Sequence, residues 1–103
     1  MFMRAVHPGE ILREELDEAG ISPTALARHL AVPPNRIGQI LAGKRAISGD
    51  TALRLGHWFG VAPQFWLNLQ VQFDLAQAAR DSGAAIQALP TLADTAGEIG
   101  ATS

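Results

Sequence analysis

The chain has no cysteine among its 103 residues. Disulfides and thiolate metal sites are thereby excluded, and a reducing, cytoplasmic setting is the expectation. No apolar run approaches the ~18 residues of a membrane span, and the opening MFMRAVHPGE lacks the apolar core of a signal peptide. Cations are scarce: eight Lys and Arg stand against ten Asp and Glu, a formal charge of −2. His7, His29 and His57 have no spacing that brings them together locally and no carboxylate cluster beside them, so no metal and no cofactor are expected. The paired acids Glu14/Glu15 and Asp17/Glu18 have no candidate nucleophile or glycine-rich phosphate loop nearby, which makes an enzyme the least expected class. The length is that of one domain.

What is present is concentrated in SPTALARHLAVPPNRIGQILAGKR, residues 22 to 45. Ser22 is a helix cap and Pro23 a first helical residue, with φ preset and no N–H to waste. Leu26, Ala27 and Leu30 form a narrow apolar stripe, with Ala27 small enough to admit a second helix and Val32 as a plug in the turn. Pro34 forces Pro33 into extended geometry, so Pro33 is a non-helical cap and a new helix opens at Pro34. That helix buries Ile37, Ile40 and Leu41 and turns Asn35, Arg36 and Gln39 the other way. Gly43 ends it, with Lys44 and Arg45 beside the negative end of its dipole. Two short helices joined by a tight turn make a helix-turn-helix.

The outward set has chemistry for a base pair. Asn and Gln pair bidentately with adenine and Arg with guanine in a major groove about 12 Å wide, which admits one helix. Asn35, Arg36 and Gln39 are the expected reading head; Ser22, Thr24, Pro34, Lys44 and Arg45 are the expected phosphate contacts. Pro33 has no side-chain acceptor, which leaves the amides of Asn35 and Arg36 for a phosphate. The charge distribution agrees: residues 22 to 57 hold Arg28, Arg36, Lys44, Arg45 and Arg54 against Asp50 alone, while both flanks are net acidic. With so few cations the module should bind weakly alone and depend on dimerisation.

Around this core, a first helix runs from Pro8 to about Ala19 and ends at Gly20, with Leu12, Leu16 and Ala19 as its buried line, helped by Ile11. Glu14, Glu15, Asp17 and Glu18 crowd its other side, a solvated face or a dock for a basic partner that should not lie on DNA. A fourth helix is capped by Ser48, reaches about Phe59 and closes at Gly60. The fifth starts at Pro63 and is expected to end near Arg80. It carries two apolar arcs, Trp66, Leu69, Phe73 and Ala76 on one side and Leu67, Val71, Leu75 and Ala78 on the other. One arc closes the domain; the other calls for a second copy about a two-fold axis, or for the tail folding back over it, with Phe65, Trp66, Leu69 and Phe73 as the expected dimer interface. Residues 1 to 80 are thus the DNA-binding and dimerisation domain. Residues 81 to 103 form a weak tail, a short helix from Ala84 to Leu89, a docking strip or disorder, with Ile86, Leu89, Leu92 and Ile99 spaced as if to pack.

In order, HPGEIL at 7 to 12, LARHLAVPPNRI at 26 to 37, ILAGKRAIS at 40 to 48, DTALRL at 50 to 55 and FGVAPQFWLNLQ at 59 to 70 resemble the lambda repressor/Cro-like (XRE) helix-turn-helix class, and within it the HigA (VapI-type) antitoxins. The resemblance covers residues 7 to about 80. It implies an all-α, five-helix DNA-binding domain acting as a homodimer on a palindromic operator overlapping its own promoter. It also implies a partner toxin of the HigB kind, a small basic ribonuclease of the RelE superfamily that the antitoxin neutralises. The family's reading helix falls on Pro34 to Ala42 and its backbone-gripping loop on Lys44 and Arg45. Gly38, where the family more often has a larger residue, should cost that helix about 1 kcal/mol. No toxin-contacting residue can be transferred, and a phage-type repressor without a toxin is the alternative.

Overall fold

The computed structural model describes residues 5–95, and these are all-helical. Five helices follow in order: α1 Pro8–Ala19, α2 Pro23–Leu30, α3 Pro34–Leu41, α4 Gly49–Phe59 and α5 Pro63–Gln87. The lead-in at residues 1–4 and the packing position Ile99 lie outside the described residues.

The starts are those that local chemistry demands. α1, α2, α3 and α5 each open on a proline. Ser22 Oγ accepts the Ala25 amide at 3.1 Å and Ser48 Oγ accepts that of Thr51 at 3.3 Å. α1 is capped by an imidazole: His7 Nδ1 accepts the Gly9 amide at 2.9 Å, out of solvent. The stops of α1 to α4 share one geometry. A left-handed residue at Gly20, Ala31, Gly43 or Gly60 turns the chain. The next amide then reaches back five residues, from Ile21 to Leu16, Val32 to Ala27, Lys44 to Gln39 and Val61 to Gly56, at 2.8 to 3.0 Å. Three of these turns use glycine; the turn of the helix-turn-helix uses Ala31, at φ 57°.

α2 packs on α3 and α4, α1 on α3 and α5, and α4 along α5. Leu12, Leu16, Leu26, Ala27, Ile37, Ile40, Ala52, Leu55 and Trp66 fill the centre, each at 1% exposure or less. Leu41 reaches this core only in part, and Ala19, expected in the buried line of α1, is exposed on the rim of a cleft against Trp58 and Phe59 of α4. Backbones approach most closely at Gly9, where a Cβ would fall on the carbonyl oxygen of Ile40, and at Gly56, where it would lie 2.7 Å from the Val61 oxygen. The first of these contacts sets the height of α3 above the bundle.

α5 overruns its expected end. It continues through Arg80 to Gln87, because Gly83 stays right-handed, the residues after it are good helix formers, and the first true breaker is Pro90. Residues 92–95 form one further turn, with Thr91 and Asp94 capping each other's amides at 3.2 and 3.0 Å.

Candidate nucleic-acid interface

α3 presents its edges as its periodicity requires. Ile37 and Ile40 are wholly buried, while Asn35, Gly38 and Gln39 face solvent on the opposite side. Pro33 provides no side-chain cap. Of the two amides expected to be open at this start, that of Arg36 is taken: it donates to the Pro33 carbonyl at 3.0 Å, since a first-turn amide without a side-chain acceptor folds onto the nearest carbonyl.

Arg36 does not stand free. Its guanidinium lies 3.3 Å from Asp50 Oδ2, and the same oxygen receives Arg54 Nε at 2.9 Å. Arg54 in turn donates to the Leu30 carbonyl at 2.8 Å, tying α4 to the end of α2. The hydrogen bond from Arg54, assisted by Arg36, holds the Asp50 carboxyl below its ordinary value. Two of the five cations around the motif are thus committed to one carboxylate, so the positive charge offered to DNA is smaller than the sequence count. Gln39 is also occupied: Arg45 donates to its Oε1 at 3.1 Å, coupling an expected base reader to an expected phosphate contact. Lys44 and Thr24 are exposed, as are Pro34 and Ser22, although the Ser22 hydroxyl already serves as the cap of α2.

The loop bearing Lys44 and Arg45 is fixed from behind. The Ile47 amide donates to Gln70 Oε1 at 2.8 Å, and Gln70 Nε2 donates to Asp74 Oδ1 at 2.9 Å. Beside it the buried His7 ring meets Phe73 edge-on, 4.8 Å between centroids. Burial lowers the His7 pKa below 6.5, opposed by Asp74, Glu10 and the main chain of Arg45. As an N-cap acceptor the ring must be neutral at Nδ1.

On α5 the arc of Trp66, Leu69, Phe73 and Ala76 turns toward its own domain. Trp66, expected at the dimer interface, is 1% exposed and belongs to the core. Leu69 and Phe73 are half-buried and border a groove of about 410 Å³ with Val6, Ile11 and Ala76, and Phe65 is 43% exposed. The outward arc holds Val71 at 52% and Leu75 at 66% exposure. Among the described residues there is no group of three acids or histidines placed to hold a metal, and no helix long and apolar enough to cross a membrane.

Residues 12–66, from the second turn of α1 to the first of α5, match the helix-turn-helix family. Over 80 residues the chain is 52% identical to virulence-associated protein I of Dichelobacter nodosus, covering 77% of this chain and 74% of that protein. The chain belongs to the helix-turn-helix family. Within it the similar structures are HigA proteins. One, an addiction module antidote of the HigA family from Coxiella burnetii, superposes with a TM-score of 0.84 at 51% identity, over 86% of this chain and 98% of that one. Another, the Pseudomonas aeruginosa antitoxin HigA solved with the higBA promoter, has a TM-score of 0.83 at 46% identity, over 86% and 99%.

Three residues that position this helix-turn-helix carried little or no signal in the sequence. Asp50 could have been found as the sole acid of the cationic stretch, at i, i+4 from Arg54. Gln70 is a polar residue inside an apolar arc, a conspicuous exception to its helix's pattern. His7 had no signal beyond its place before Pro8.

Proposed function

We propose that this chain is a DNA-binding repressor of its own operon and the antitoxin of a HigB-like ribonuclease, acting in the cytoplasm. The observation that carries the DNA half is the pairing of edges on α3: Ile37 and Ile40 sealed in the bundle, Asn35 and Gln39 in solvent. A helix so held can enter a major groove without giving up its own packing. Asn35, Arg36 and Gln39 read bases, Arg36 exchanging Asp50 for guanine and Gln39 leaving Arg45 for adenine. Arg45, released by Gln39, joins Lys44, Ser22, Thr24 and the first turn at Pro34 on the phosphates. That the Pseudomonas aeruginosa relative was solved with the higBA promoter supports DNA binding by this chain.

A homodimer places two copies of α3 about 34 Å apart, one turn of DNA, on a palindromic operator. Its contact runs over Val71 and Leu75, the outward arc of α5, rather than over Trp66 and its neighbours. Binding to the chain's own promoter fragment, measured by gel shift at stated salt against a scrambled fragment, tests the repressor reading. Equal affinity for both fragments refutes it. Copurification with the product of the adjacent gene tests the antitoxin half, and its failure leaves a repressor without a toxin.

A further inference from the structure

A second surface, to which α3 contributes no residue, has a different chemistry. A cleft of about 370 Å³ lies between Glu15, Glu18 and Ala19 of α1 and Trp58 and Phe59 of α4. It shares Glu15 and Phe59 with a hollow of about 130 Å³ that reaches Val61, Phe65 and Trp66. The floor is a run of rings in contact: Trp58 on Phe59 at 4.9 Å, Phe59 on Trp66 at 5.7 Å, Phe65 on Trp66 at 5.1 Å. Val61 and Phe65 leave 41% and 43% of their surface in water. Among the described residues no ion pair holds Glu14, Glu15, Asp17 or Glu18.

We propose that the cleft is the docking site of a basic protein segment, which seats Arg or Lys side chains on the partly exposed rings between Glu15 and Glu18. Aromatic faces and carboxylates both attract a cation, and the hollow gives an apolar neighbour its place. DNA is excluded, because the rim would face phosphates with carboxylates. A second copy is disfavoured, because a two-fold contact here would set the acidic rim against itself. The inference rests on the antitoxin reading and names the surface through which the basic toxin is held.

The test uses the full chain, its operator and the purified toxin from the adjacent gene, by calorimetry at two salt concentrations. Glu15→Gln with Glu18→Gln should weaken toxin binding about tenfold or more and flatten its salt dependence, with operator affinity unchanged. Phe65→Ala, which removes an exposed ring from the hollow, should also lower toxin affinity. Toxin bound by the charge variant and by Phe65→Ala with wild-type affinity overturns this site and leaves the antitoxin reading standing. Toxin that fails to bind the wild-type chain overturns both.

Discussion

Replacing Gly9 by alanine adds one carbon where the first turn of α1 rests on the last turn of α3. The new Cβ would clash with the Ile40 carbonyl oxygen and lie 2.9 Å from its carbon and 3.1 Å from His7 Nδ1. Ordinary carbon contacts are about 3.5 to 4.0 Å, so the two helices must part by more than about half an ångström. No flexible side chain can absorb that, because the obstacle is main chain. Overpacking of this kind costs about 1 to 3 kcal/mol, and a rigid partner places it near the upper limit. Alanine returns up to about 1 kcal/mol as the better helix former. A net loss of about 2 kcal/mol remains, roughly 8 to 16 °C of melting temperature for a domain of this size. Because the displaced element is α3, operator affinity should fall as well. A Gly9→Ala protein melting at or above the wild-type temperature would refute the reasoning, since the close approach would then impose no strain.

Ala31→Gly should raise stability by about 0.5 to 1 kcal/mol, because the alanine sits at φ 57° where glycine has no penalty beyond its greater freedom when unfolded; urea midpoints with unchanged slope check this. Gln70→Leu strands the Ile47 amide, and should destabilise by about 1 to 3 kcal/mol, read from the same titration. His7 gives a pH dependence. Its folded pKa lies below 6.5, so on acidification the unfolded chain takes up a proton first. The stability present above pH 6.5 is then lost as pH falls through the folded value. His7→Asn, which keeps a capping acceptor, should flatten that slope in melts across this window, whereas Asp50, also depressed, acts only below its ordinary 3.8. Arg36→Ala should weaken operator binding by about 1 to 3 kcal/mol and relax preference at one base position. Lys44→Ala should weaken all DNA alike and lower the salt slope by about 0.9. Gel shifts at several salt concentrations separate the two effects.

Helix starts and stops were legible from the residues because their causes are local: a proline with a fixed φ, a serine one turn from the amide it caps, a glycine where the chain turns left-handed. The end of α5 lies beyond the expected Arg80 because the small, polar residues that follow read as a weak segment, yet hold no breaker before Pro90. The polar edge of α3 followed from period 3.6, which sets Ile37 and Ile40 against Asn35 and Gln39 whatever the bundle does.

The order of the helices, the limits of the first four and the polar edge of α3 were therefore written in the chain itself. The tertiary structure alone decided that Arg36 leans on Asp50, that Gln70 holds the Ile47 amide, that Gly9 meets Ile40, and that Trp66 faces inward while Val71 and Leu75 face water. The physical reason is range. Periodicity and capping act over a turn or two, whereas these contacts join residues 14 to 31 positions apart, and which of two apolar arcs is buried depends on which neighbour reaches it.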